Sequence, residues 1–226
     1  MNSTTELVFL LDRSGSMAGL VSDTIGGFNA MLEKQKRESG EVLVTTVLFD
    51  TRTECLHDRL PLSRVAPLSE RDYTPGGCTA LLDALGSTIH HIAGIHRYAR
   101  PEDVPARTLF VITTDGLENA SHHYNYDQVR RMVEHQKHLC DWEFLFLGAN
   151  MDAIQAGRRF GIAPNRAVTF ENDSEGIGLN YDVLSQTIAH VRASACPSAG
   201  AAMAEPNYHW SDRIEEDYKK RHRKIR

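Results

Sequence analysis

The apolar run Leu7-Val8-Phe9-Leu10-Leu11 leads directly into Asp12-Arg13-Ser14-Gly15-Ser16. A run of this kind, bounded by polar turn residues, reads as a buried strand. The Asp and the two Ser residues then fall at its carboxyl end, where ligand sites form in open α/β sheets. One carboxylate and two hydroxyls, all hard oxygen donors within five residues, suit Mg²⁺ or Mn²⁺. No other stretch of the chain is as specific.

Strand-like and helix-like segments alternate along the rest of the sequence. Apolar residues Val21, Ile25, Phe28, Met31 and Leu32 repeat at helical spacing between Leu20 and about Glu38, and Gly40 ends the pattern. Glu41 to Phe49 is rich in β-branched residues and predicts a strand. Asp50-Thr51 is too short for a crossover, so the weakly alternating Arg52 to His57 is expected as an antiparallel edge strand. Residues 60–77 are loop-like, with Pro61, Pro67, Pro75, Gly76 and Gly77. Thr79 opens a second helical pattern through Ile92. Further strands are predicted at Thr108–Ile112, Trp142–Leu147 and Ala167–Phe170, with helices at Asp127–Cys140, about Asp152–Phe160 and Ser174 to about Ala193. The alternation predicts a doubly wound, mostly parallel α/β sheet of about six strands with one antiparallel edge and helices on both faces.

From about Ala195 the signal changes. Ala, Gly and Pro dominate up to Pro206; an acidic cluster follows (Asp212, Glu215, Glu216, Asp217), then a basic end, Lys219 to Arg226. This tail lies outside the repeating unit and is expected to be flexible or loosely docked, its charges solvated or paired within the chain.

The 226 residues carry a formal net charge of -5, which supplies no positive field for nucleic acid. The apolar stretches are too short to span a membrane, and the start lacks the basic region of a secretory signal and runs straight into the first strand. Cys55, Cys78, Cys140 and Cys196 are scattered, without the spacing of a zinc or redox pair. Reduced thiols and no export signal together predict a cytoplasmic protein. His90-His91 and His122-His123 lack accompanying carboxylates at ligand spacing and are expected as surface or partly buried histidines.

Three loops are expected to share one end of the sheet. Asp12, Ser14 and Ser16 follow the first strand; Asp115 follows Leu109–Ile112 within Thr114-Asp115-Gly116; Thr79 opens its helix after Gly76-Gly77. This order, apolar strand, D-x-S-x-S, a distant Thr, then apolar strand and T-D-G, resembles the von Willebrand factor A (VWA) domain over about residues 6–194, and within that family the compact stand-alone bacterial versions. The resemblance implies a metal-ion-dependent adhesion site (MIDAS). In it Ser14 and Ser16 would ligate through their hydroxyls, Asp12 and Asp115 directly or through water, and Thr79 in the ligand-competent state. Such a shell leaves the ion short of direct negative charge, so an acidic residue of a partner protein can complete it. Mg²⁺ commonly keeps waters and takes only one or two protein carboxylates. Arg13 fills a variable position of the motif.

Each residue taken singly also has a plain structural reading: turn or cap for the serines, helix N-cap for Thr79, turn for Asp115-Gly116, and a loop-supporting cap for Asp83. An enzyme is not expected. A phosphatase of the haloacid dehalogenase type would need a second Asp at position 14, where Ser14 stands, and neither G-x-S-x-G nor a P-loop is present. A Mg²⁺-dependent phosphohydrolase and a metal-free scaffold remain the alternatives to a binding module. The partner and the oligomeric state are not written in the sequence.

Overall fold

A computed structural model describes residues 3–223. Its six strands are β1 (Thr5–Asp12), β2 (Val42–Phe49), β3 (Thr53–Pro61), β4 (Arg107–Thr114), β5 (Glu143–Ala149) and β6 (Ala167–Phe170), in the spatial order β3-β2-β1-β4-β5-β6. All neighbours are parallel except β2 and β3. The helices are α1 (Val21–Lys36), α2 (Leu81–Tyr98), α3 (Tyr126–Cys140), α4 (Ala153–Arg159), α5 (Ser174–Ala193), α6 (Ala199–Met203) and α7 (Asp212–Arg223). The doubly wound sheet with one antiparallel edge is the predicted architecture. None of the helices among the described residues is long and apolar enough to cross a membrane.

Every residue of β1 is buried. Its odd positions Leu7, Phe9 and Leu11 face α1 and α5, while Val8 and Leu10 face α2 and α3, so the strand is the shared wall of two cores. Each such side chain contributes about 1.5–3 kcal/mol on burial. Phe9 meets the Phe28 ring edge-on at 5.2 Å on one face, and Phe110 stacks on Trp142 at 5.2 Å on the other.

The edge strand β3 runs past the expected His57 to Pro61, with a register shift opposite Val44–Val47. The cause is an interaction that periodicity does not encode. Arg59 takes a left-handed backbone (φ 48°), its amide donates to Thr45 Oγ1, and its Nε reaches the fully buried Glu6 carboxylate at 2.5 Å. His96 of α2 holds the other oxygen of Glu6 at 2.6 Å. One carboxylate at the start of β1 thereby pins both the edge strand and a helix.

The C-terminal segment differs from the loosely docked tail expected of it. Trp210 and Ile214 are buried in the α1/α5 core, and Trp210 Nε1 donates to the Asn165 carbonyl at 2.8 Å. Arg213 reaches Asp182 of α5 at 2.8 Å. Two apolar anchors in an otherwise charged stretch are enough to seat α7 against β6 and α5, and composition alone conceals them. The intrachain pairing considered for its charges is present, with Lys219–Glu215 at 3.0 Å and Arg221–Asp217 at 2.8 Å. The last three residues of the basic end lie outside the described residues.

Candidate metal centre

The strand order reverses direction between β1 and β4, so the chain leaves these neighbours on opposite sides and their carboxyl ends open a crevice. Asp12 is the last residue of β1 and Thr114 the last of β4. Their side chains meet there, Thr114 Oγ1 donating to Asp12 Oδ2 at 2.5 Å. The Ser14 amide donates to Asp12 Oδ1 at 2.7 Å, so both oxygens of this buried carboxylate are oriented.

The motif then crosses to the β4 loop. Ser16 Oγ donates to Asp115 Oδ1 at 2.5 Å, and Ser14 Oγ lies 3.1 Å from Ser16 Oγ. With the Ser16 proton committed to Asp115, Ser14 is the donor of that second bond. Asp12, Ser14, Asp115 and Thr79 are buried, whereas Ser16 is exposed, which leaves the cluster open on one side.

Thr79 reaches the same place by backbone contacts. Its amide donates to Asn119 Oδ1 at 2.9 Å, and the Asn119 amide donates back to the Thr79 carbonyl at 3.0 Å. A Cβ on Gly116 would stand 2.8 Å from Thr79 Oγ1, so the Thr79 hydroxyl lies directly against the residue after Asp115. The Gly76-Gly77 loop clamps the motif from above: the Gly76 amide donates to the Arg13 carbonyl at 2.9 Å and the Gly15 amide to the Gly77 carbonyl at 3.2 Å. Gly77 adopts φ 66°, a conformation open to glycine at little steric expense. Thr79 itself does not cap α2. That helix begins at Leu81, and its first amides are taken by side chains of the β4 loop: Leu82 donates to Glu118 at 2.7 Å and Asp83 to Ser121 Oγ at 3.0 Å. Asp83 returns the contact by accepting from the amides of His122, His123 and Tyr124 at 2.8–2.9 Å, which is the loop-supporting role considered for it.

Several contributors had no role assigned by the motif. Thr114 was visible in T-D-G but carried no role. Tyr73 donates from its buried hydroxyl to the Asp12 carbonyl. Arg13 binds Asp50 at 3.0 Å and Glu54 at 2.7 Å and so ties the motif to the β2–β3 hairpin. Asn172, just after β6, donates to Asp115 Oδ2 at 3.1 Å; its only sequence signal was a polar residue at the carboxyl end of a strand.

The donor set suits a hard divalent cation. Burial pushes the Asp12 carboxyl above its ordinary range, and the nearby Asp115 charge adds to this against the pull of the Thr114 and Ser14 bonds. Among the described residues neither Asp12 nor Asp115 has a Lys, Arg or His partner, so two neighbouring carboxylates lack a compensating positive charge. No group of three or more His, Cys, Asp or Glu side chains at metal-binding spacing occurs among the described residues, which leaves hydroxyl oxygens to make up most of any shell here. Hydroxyls and carboxylates favour Mg²⁺ or Mn²⁺ over softer ions.

Residues 1–142 match the model of the family described as VWA domain containing CoxE-like protein. No curated protein matches the chain. Among solved structures, the vWF domain of the type V pili tip protein Mfa5 from Porphyromonas gingivalis superposes with TM-score 0.58 at 12% identity, over 83% of this chain and 96% of that one. Proximal thread matrix protein 1 from the mussel byssus gives TM-score 0.58 at 12% identity, over 81% of this chain and 48% of that one. A structure of the same mussel protein with a zinc occupied MIDAS motif gives TM-score 0.57 at 11% identity, over 83% and 47%. The present chain thus spans about half the length of the mussel protein, and the likeness is one of fold.

Proposed function

The chain belongs to the family of VWA domain containing CoxE-like proteins, and from that premise we propose that it is a metal-dependent protein-binding module. Mg²⁺ or Mn²⁺ would be held by the hydroxyls of Ser14, Ser16 and Thr79, with Asp12 and Asp115 contributing directly or through water. When bound, the ion supplies a Lewis-acidic position for an acidic side chain of a partner protein. The module carries no catalytic step of its own and acts in the cytoplasm, in assembly of a protein complex.

The observation that carries this reading is the continuous chain Ser14–Ser16–Asp115 beside the doubly oriented Asp12, open only at Ser16. It is a preorganised set of oxygen donors with an excess of negative charge and one accessible side. The zinc in the mussel MIDAS supports the ability of a site on this fold to take a divalent ion. The same chain of bonds has a consequence for ligation: Ser16 can give its lone pair to a cation while its hydroxyl proton stays directed at Asp115, so a carboxylate once removed from the ion still adds to the donor strength of the hydroxyl.

Calorimetric titration of metal-stripped protein with Mn²⁺ tests the assignment. Wild type binds one equivalent and Asp12→Ala loses that binding. Equal affinity in the two proteins overturns the metal site.

A further inference from the structure

Asp115 is oriented from two sides, by Ser16 on Oδ1 and by Asn172 Nδ2 on Oδ2. Ser16 belongs to the motif. Asn172 belongs to the short connection between β6 and α5, 57 residues further along the chain. Resting on the metal site proposed above, we propose that Asn172 is a positioning residue for Asp115, and that α7 holds it in place through the β6–α5 connection.

The connection is gripped on both sides of Asn172 by the end of α7. Glu171 pairs with His222 Nε2 at 2.5 Å and Asp173 with Arg221 Nη1 at 2.6 Å. Arg221 Nη2 also reaches Glu175 at 3.0 Å, and its Nε holds Asp217 one turn back at 2.8 Å, so the guanidinium is shared among three carboxylates. The far end of α7 is fixed independently, by Ile214 and Trp210 in the core and by the Trp210 bond to Asn165, which precedes β6. The helix therefore runs the length of β6, and its basic end arrives where β6 delivers Asn172.

The charges explain why such a grip is needed. Glu171, Asp173 and Glu175 all flank Asn172, and Asp115 is its hydrogen-bond partner. Within a Debye length of about 8 Å these carboxylates repel one another. Arg221 offsets that repulsion on the outer side of the connection, where His222 Nε2 also meets Glu171, leaving Asn172 turned toward Asp115. Isolated exposed pairs contribute little to stability, so loss of the two basic residues is expected to free the connection without unfolding a helix seated by Trp210 and Ile214.

The test uses the full chain. Mn²⁺ affinity is measured calorimetrically for wild type, Asp12→Ala, Asn172→Ala, Arg221→Ala/His222→Ala, and the combination of the last two sets. Asn172→Ala is expected to weaken binding about tenfold, the low end for a residue that orients a ligand. Arg221→Ala/His222→Ala should weaken it by a similar factor, and the combined variant should be no worse than Asn172→Ala alone. Hydrogen exchange of the metal-free proteins gives a second readout: both sets should speed exchange in the segment 113–117 while leaving β1 protected. Wild-type Mn²⁺ affinity and unchanged exchange at 113–117 in Arg221→Ala/His222→Ala would overturn the role of α7, as would losses that multiply in the combined variant. Equal binding by wild type and Asp12→Ala, with the exchange effect intact, would instead strike down the metal assignment and leave the coupling of α7 to Asp115 standing.

Discussion

Thr114 and Asp12 end adjacent parallel strands, and the hydroxyl of one donates to the carboxylate of the other at 2.5 Å. Both are buried, so this bond, with Ser16–Asp115, joins the β1 and β4 parts of the three-part motif before any ligand arrives.

Thr114→Val keeps the shape and removes the donor. An orphaned buried carboxylate oxygen costs about 1–3 kcal/mol, so urea unfolding in EDTA should show that loss, and Thr114→Ser should recover most of it. An unchanged midpoint for Thr114→Val would mean the bond does not hold the strand ends together.

Gly116→Ala places a methyl 2.8 Å from Thr79 Oγ1, and the hydroxyl must shift from its present position. The protein should fold and bind Mn²⁺ several-fold more weakly. Gly19→Ala is the control, since its added methyl meets nothing within 4 Å. Equal titrations for the two variants would remove Thr79 from the metal shell.

Metal should stabilise the fold. At a free Mg²⁺ concentration of 100 times Kd the expected gain is about 2.7 kcal/mol, visible as a higher Tm that EDTA reverses. Asp12→Ala should show no shift, and an equal shift in both proteins would point to metal bound elsewhere.

Asp83 gives a pH signature independent of the metal. Burial alone would push its carboxyl up, but the amides of His122, Tyr124 and His123 outweigh burial and hold it below the usual carboxylate range. A depressed folded value means stability that is present above the unfolded value of about 3.9 and is lost as pH falls through the folded one. Wild type should therefore lose more stability than Asp83→Asn on acidification below about pH 4. Parallel acid melts would show that the carboxylate charge does not brace the loop.

The sheet was legible because its strands are apolar runs that end in polar turns. Leu7–Leu11 and Leu109–Ile112 announce both their burial and the end at which a site can form. That Asp12, Ser14, Ser16 and Asp115 meet at one end of the sheet was legible because each follows an apolar strand. What stayed hidden depends on pairings between distant residues. Asn172 acquires its role only once β6 is placed at the same end as β4, and Tyr73 only once a proline-rich loop folds over β1. Arg59 extends the edge strand because Glu6 lies buried two strands further in. The docking of α7 rests on Trp210 and Ile214, too few apolar residues to outweigh the charges around them in any average over the segment.

The first amides of α2 open beside the metal face, and a free helix start there would be a ready seat for a phosphate. Glu118 already fills it, accepting from Leu82, Ala120 and Ser121. A phosphate approaching these amides would meet a carboxylate already in place. The chain thereby supplies its own anion to the start of α2, and that helix end is a brace for the β4 loop instead of a seat for a ligand.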